Sequence, residues 1–324
     1  MKFPRRQFLQ LAASAAGLPV VSHIARAQAY PTRPVRIIVG FNPGGSPDLT
    51  ARLIGQWLSN RRGQQFVIEN RTGGGGNIAT EMVVKAAPDG YTLLLVTTSN
   101  AINATLYGNL NFNFIRDIAP VAGVVRVPNV MEVNVNVPAS TVPQFIAYAK
   151  ANPGKINFAS AGIGTSPHVS GELFNMMTGT DMTHIPYPRV SAQSDLLAGQ
   201  VQVLFSPVPS AIGYIRAGTV RALAVTTTTR SPALPDIPTV GDFVPGYEAS
   251  TWVGIGAPKN TPAEIIDTLN REINAAFADS GFRARLAEVG GMPLPGSSTD
   301  FANLLAEQTE KWGKVVRSLH IKVD

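Results

Sequence analysis

The sequence predicts an α/β protein of two lobes, each a mostly parallel sheet flanked by helices, with a ligand cleft between them. Three observations carry that prediction. From Val35 to Thr97 short apolar runs alternate with segments of helical spacing, the βαβαβ order of a parallel sheet covered by helices. The sequence of strand, glycine-rich turn and helix start occurs in both halves, at Val35–Asp48 and again at Ile156–His168. Two extended segments, Val121–Val137 and Thr251–Ala257, are placed to carry the chain from one lobe to the other and back. The lobes are therefore expected over residues 28–125 with 251–324, and over 126–250.

Residues 1–27 read as a leader outside the fold. Arg5-Arg6-Gln7-Phe8-Leu9 precedes an apolar stretch from Leu11 to Ile24, and Ala25-Arg26-Ala27 has the form of an A-x-A cleavage site. The paired arginines followed by Phe-Leu give it a twin-arginine flavour. The apolar part is well short of the ~20 residues that span a bilayer, so export and cleavage near Gln28 are expected, with a periplasmic product. The chain has no cysteine, which removes disulfides, thiolate metal sites and a lipoprotein anchor. Its formal charge of +6 shrinks once Lys2, Arg5, Arg6 and Arg26 leave with the leader: 27 − 4 = 23 basic residues remain against 21 acidic. No basic run with interleaved aromatics survives, which argues against a nucleic-acid partner.

In chain order, Val35–Val39 is β-branched and mostly apolar, as a buried strand is. Pro43, Gly44 and Gly45 break it, Ser46 and Asp48 are residues that cap helices, and Pro47 suits a first helical turn. A helix to about Asn60 follows, with Leu49, Leu53, Ile54, Trp57 and Leu58 at helical spacing. Gln65–Glu69 is a second strand, Asn70–Asn77 (NRTGGGGN) a second glycine loop, Ile78–Ala87 a helix, and Tyr91–Thr97 a third strand ending in the polar cluster Thr97-Thr98-Ser99-Asn100. Ligands of open α/β sheets sit outside the carboxyl ends of strands, so three loops converge on one crevice. After the first crossing come a helix at Val142–Ala151, a strand at Ile156–Ala159, the turn Ser160–His168 and a helix at Val169–Met177. Strands at His184–Tyr187, Val201–Phe205 and Arg221–Thr226 alternate with helices at Ser194–Ala198 and Ala211–Ala217. Two long amphipathic helices, Ala263–Phe277 and Phe301–Leu319, return to the first lobe.

The glycine loops fit no nucleotide signature. No Lys-Ser or Lys-Thr follows Gly76, and the loop after the second strand has no acidic ribose partner. A hydrolase or isomerase would have to use His168 as base with Ser166 or Ser206 as nucleophile, yet there is no G-x-S-x-G elbow and no metal-ligand set. A strand, a glycine turn and a helix start instead offer free N–H groups and a helix dipole to an anion.

The stretches YPTRPVRIIVGFNPGGSPDLTAR, FVIENRTGGGGNIA and APDGYTLLL, and later INFASAGIGTSPHVSGELF, LLAGQVQVLF, VRALAVTTTTRSPALPDIPTV and WVGIGAPKNTP, resemble the receptors of tripartite tricarboxylate transporters, often called Bug receptors. The resemblance covers nearly the whole mature chain, in order. It implies a type II periplasmic-binding-protein-like fold that captures a small organic acid and hands it, as a monomer, to a membrane permease. It implies no cofactor and no metal, and carboxylate binding through backbone amides, hydroxyls and ordered water. Matched onto this sequence, the ligand residues are Phe41, Pro43, Gly44, Gly45 and Asp48, with Gly76 and Asn77, then Thr98, Ser99 and Asn100. The second lobe contributes Ser160, Gly162, Gly164, Thr165 and His168, with Ser206 and Pro207. The alternative is a sensor that presents its closed form to a signalling partner.

Several of these have structural duties as ready alternatives: Asp48 as a helix cap, His168 as a hydrogen-bonder near a helix start, Asp195 as a brace of Leu196–Gly199, and Glu69 paired with Arg71. The chain departs from the family after Pro186-Tyr187, where PRVSAQSD lacks a glycine, and at Gln202, where relatives carry Asp. Arg189 in that loop is a candidate ion-pair partner for a ligand carboxylate.

Overall fold

The computed structural model describes residues 30–187, 192–288 and 290–318; the expected leader, Arg189 and Leu319, the expected end of the last helix, lie outside them. Strand β1 (Val35–Val39) is apolar enough to be covered on both faces, and Val35, Ile37, Ile38 and Val39 are fully buried. It lies between β2 (Phe66–Asn70) and β3 (Thr92–Thr97), parallel to both. Helix α1 (Ser46–Arg62) links β1 to β2 and α2 (Asn77–Val84) links β2 to β3.

In each sheet most strands run in one sense, as the sequence predicts, and the sheets are mixed because a few strands are set against the rest. β4 (Ile118–Val127) and β10 (Thr251–Pro258) complete the first sheet with the short β11 (Met292–Pro293), and β10 runs antiparallel to both β3 and β4. The second sheet has the order β7-β6-β8-β5-β9, built from β5 (Asn129–Asn134), β6 (Ile156–Ser160), β7 (Met182–Pro186), β8 (Val203–Pro207) and β9 (Val220–Val225). There β5 is antiparallel to β8 and β9. The reason is the crossings. β4 passes through Pro128 into β5, and β10 returns the chain to the first sheet. A strand that has just crossed begins at the cleft and runs away from it, whereas the strands wound by βαβ connections end there.

Other differences are local. The cluster after β3 is the start of a helix, α3 (Thr98–Leu106), opened by a capping box between Thr97 and Asn100. The strand expected at Val201 begins two residues later, because the Val201 amide is turned back to the Asp195 carbonyl. Helix α1 is capped by Gly45 with no side-chain bond, not by Ser46. Short α4 (Phe114–Asp117) precedes β4. In the second lobe α5 (Val142–Ala151), α6 (Ser166–Thr178), α7 (Gln193–Ala198) and α8 (Val208–Arg216) cover the sheet, and α9 (Ala263–Ala276), α10 (Ser280–Glu288) and α11 (Ser298–Ser318) finish the chain. One apolar cluster runs from Ile38 and Leu94 in the first sheet to Phe158 and Phe205 in the second, through Trp252 and Trp312. Both of these indoles donate to the single amide oxygen of Gln308, at 3.2 and 3.0 Å, which fixes α11 to the crossing strand β10. Among the described residues no helix is long and apolar enough to cross a membrane.

Candidate functional site

A cavity of about 860 Å³ opens between the two sheets. Five helices of eight or more residues begin at it. Ser46 and Pro47 open α1, Gly76 precedes α2, Thr98 and Ser99 open α3, Ser166 and Pro167 open α6, and Ser206 and Pro207 precede α8. The first amides of a helix have no partner within it, and each N-terminus carries about half a positive charge. The described part of the wall has no Asp, Glu, Lys, Arg or His; its polar groups are hydroxyls, amides and peptide units. Among the described residues the positive field of the cleft is therefore made by backbone, not by side-chain cations. No group of three His, Asp or Glu residues gathers to hold a metal among the described residues.

Of the residues expected from sequence, Phe41, Gly76, Thr98, Ser99, Ser160, Gly162, Thr165, Ser206 and Pro207 line the cavity. Asp48, Asn77, Asn100, Gly164 and His168 are buried and do not reach its surface, and Pro43, Gly44 and Gly45 are exposed beside it without lining it. Two of these do matching work. Gly44 N–H donates to Asp48 Oδ2 at 2.9 Å, and Gly164 N–H donates to His168 Nδ1 at 3.2 Å. In each lobe a left-handed glycine just before a helix is thus clamped by the side chain four residues on; their φ values are 81° and 78°. Asp48 also accepts Arg52 Nε at 2.9 Å and Asn70 Nδ2 at 2.9 Å. Burial pushes the Asp48 pKa up, but the hydrogen bonds from Arg52, Gly44 and Asn70 outweigh it and hold the carboxyl below its ordinary range.

The peptide N–H groups named in the sequence reading are partly committed within their own turns. Gly76 N–H donates to the Gly73 carbonyl at 3.0 Å and Gly162 N–H to Ser160 Oγ at 3.0 Å. Pro47, Pro167 and Pro209 have no N–H. Val208 N–H donates to the Pro128 carbonyl at 3.0 Å, and the Thr98 hydroxyl donates to the Trp252 carbonyl at 3.5 Å. The donors left to face a ligand are the remaining first-turn amides of the helices, together with the hydroxyls of Ser46, Ser99 and Ser166. The second glycine loop takes left-handed φ at each residue from Gly73 to Gly76, and Asn103 Nδ2 pins its Gly75 carbonyl at 3.0 Å. Asn77 Nδ2, packed under Gly74, has no hydrogen-bond partner. Gly40 presses on this loop so closely that a Cβ there would stand 2.7 Å from Gly76 Cα.

Beneath the second-lobe turn, His168 and His184 stack with centroids 3.8 Å apart, and His184 Nε2 meets Ser160 Oγ at 2.7 Å. Burial first, and then the neighbouring His168, lower the His184 pKa to about 3, so its ring is neutral at physiological pH. The stack is a support for the turn. Glu69 pairs with Arg71 and also with Arg36 Nε at 2.9 Å. Asp195 accepts the Tyr187 hydroxyl at 2.5 Å, and Gln202 is tied to Asn157 N and the Gly199 carbonyl, away from the cavity. Sequence reasoning missed Gly40, Asn42, Tyr107, Gln193, Ser210 and Thr251 in the wall. Tyr107 and Thr251 follow from α3 and the inserted β10; Gln193 carries no signal of its own.

Two α/β lobes around an uncharged, helix-fed cleft define a solute-binding protein of the two-lobed class. The chain belongs to the family described as tripartite tricarboxylate transporter family receptors, whose model matches residues 50–321. Among its relatives is protein BugT of Bordetella pertussis, 36% identical, with 92% of each chain covered. A Pseudomonas protein encoded between tcbD and tcbE is 38% identical over 90% of this chain and 88% of its own. Of solved structures, Rpa4515 of R. palustris with adipate is 37% identical, covers 89% of this chain and 97% of its own, and superposes with a TM-score of 0.78. MatC of Rhodopseudomonas palustris with bound malate is 31% identical, with coverage of 89% and 100% and a TM-score of 0.75.

Proposed function

We propose that this protein is a periplasmic receptor that captures a small organic acid between its lobes and delivers it, unaltered, to a tripartite membrane transporter. The observation that carries the reading is the cleft itself, five helix N-termini and a ring of hydroxyls around about 860 Å³ with no charged side chain in the described wall. Such a surface stabilises a carboxylate and has no group positioned as a general acid or base. The ligands named with Rpa4515 and MatC, adipate and malate, are both dicarboxylates, which supports the same class of guest here. Residues 28–125 with 251–324 act as one rigid body and 126–250 as the other, closing on the ligand about Pro128 and the start of β10. Residues 1–27 direct export, and the closed monomer is what the permease subunits recognise.

The experiment is a thermal-shift screen of the mature protein over mono-, di- and tricarboxylates, with mass spectrometry of the recovered compound. A ligand at about one hundred times its Kd adds about 2.7 kcal/mol, or roughly 5–10 °C for a chain of this size. No shift with any small acid, or a hit returned chemically changed, overturns the reading.

A further inference from the structure

The second lobe carries a buried acid that nothing in the cleft geometry above uses. Glu132 sits in the middle of β5, between Leu204 of β8 and Ala222 of β9, and is fully buried. Alternation along β5 puts it on the same face as Val130 and Asn134, under α7 and α8. Its Oε2 accepts Gln193 Nε2 at 3.4 Å, and its Oε1 has no hydrogen-bond partner. The other polar neighbour is the Ser206 hydroxyl, diagonally across the β5–β8 pair on the same face. Gln193 and Ser206 both line the cleft.

The charged and titratable groups on the surrounding elements are engaged elsewhere or stand at element ends. Asp195 of α7 holds the Tyr187 hydroxyl, Tyr214 and Arg216 lie toward the end of α8, and Arg221 of β9 gives its guanidinium to the carbonyls of Val135, Val137 and Ala139. None of the described residues forms an ion pair with Glu132. An ionised carboxylate in that position, fully desolvated and directly behind an anion-binding wall, is disfavoured twice over.

We propose that Glu132 is the positioning residue of the second-lobe wall: as a neutral carboxylic acid it donates its proton to Ser206 Oγ and so turns the Ser206 hydroxyl hydrogen toward the bound carboxylate. The proposal rests on the carboxylate-receptor reading. A hydroxyl has one hydrogen. When Glu132 is ionised it accepts that hydrogen, and Ser206 presents only lone pairs to an anionic guest. When Glu132 is protonated, Ser206 accepts from it and is free to donate. Burial raises the Glu132 pKa, against the opposing pull of Ser206 and Gln193, which favours the neutral form in the empty protein, and an anion in the cleft favours it further. Affinity is thus full at low pH and lost as pH rises through the Glu132 pKa.

The test has two arms on the full mature protein. Infrared difference spectra of wild type and Glu132→Gln should show a protonated-carboxyl stretch that persists above the pH at which an ordinary glutamate ionises and is missing in the variant. Calorimetric titration with adipate across the pH range in which that stretch disappears should show wild-type affinity falling on the order of tenfold. Glu132→Gln, whose amide donates to Ser206 at every pH, should keep the low-pH affinity throughout. Absence of the stretch, or the same pH slope in the variant as in wild type, overturns the role of Glu132. A wild type that shows the stretch but takes up neither adipate nor malate instead defeats the receptor reading, and the role given to Ser206 falls with it.

Discussion

Replacing Asp48 by alanine tests whether this residue braces the first turn or touches the guest. The carboxylate is 1% exposed, and Gly44 N–H has it as its hydrogen-bond partner at 2.9 Å. Gly44 is exposed and its amide can turn to water, so removing the carboxylate costs the hydrogen bond to a charged group, about 1–3 kcal/mol. Asn70 Nδ2 is less affected, because it also donates to the Phe41 carbonyl at 3.0 Å. The Arg52 side chain is 52% exposed, so its bidentate pair is screened and adds under about 1 kcal/mol. The sum is about 1–4 kcal/mol, or roughly 2–8 °C in melting temperature, read by thermal and urea denaturation. The Asp48 pKa is depressed in the fold, so this contribution is present above the unfolded value, around pH 4, and disappears as pH falls through the folded value. Wild type and Asp48→Ala should therefore converge in acid. Asp48→Asn retains one acceptor for Gly44 and should bind whichever small acid the carboxylate screen identifies within about threefold of wild type. A variant Asp48→Asn of unchanged stability whose affinity moves by orders of magnitude would show that the carboxylate faces the ligand, and would refute the reasoning.

Gly40→Ala drives a methyl against Gly76 Cα, a backbone atom that cannot rotate aside, and should cost about 1–3 kcal/mol while weakening binding of the acid found in the carboxylate screen through the displaced loop. Glu248, which accepts Lys311 Nζ at 2.6 Å and Arg126 Nη1 at 3.2 Å, has a pKa raised by burial but pulled below normal by Lys311 and Ser250. Its contribution is present above the unfolded pKa and lost as pH falls through the folded one, so Glu248→Gln should destabilise by about 2 kcal/mol near neutral pH and progressively less as pH falls through the folded pKa, read in urea titrations. Asn129 joins both crossings, with Nδ2 donating to Ser166 Oγ at 2.9 Å and to the Ala249 carbonyl at 3.2 Å. Asn129→Ala should lower the urea midpoint by an amount equivalent to about 1–3 kcal/mol with an unchanged m-value.

The parts of the molecule that sequence made legible are those dictated by local chemistry. Val35–Val39 is a strand because it is short, apolar and β-branched, and the glycines after it end it whatever surrounds them. The antiparallel insertion of β10 was hidden, because TWVGIGA reads the same in either direction and only the return path of the chain sets its sense. Helix α3 was hidden because TTSNAINA is rich in residues that serve caps and turns as readily as helices. Asp48 and His168 were placed near the right loops, but whether such a side chain meets a guest or a glycine amide depends on the turn's handedness. Glu132 escaped notice for a clearer reason. In NVMEVNVN the polar positions suggest a solvated face, yet helices cover this sheet on both sides and bury them.

The uncharged wall has a bearing on release. A guest held by an ion pair must break that pair before it can leave, and truncating such pairs commonly acts on the off-rate. Here the attraction comes from helix ends distributed over both lobes. On the proposed hinge motion, parting the lobes would weaken every such pull at once and readmit water, which screens what is left. Letting go would then be built into the same movement that opens the door.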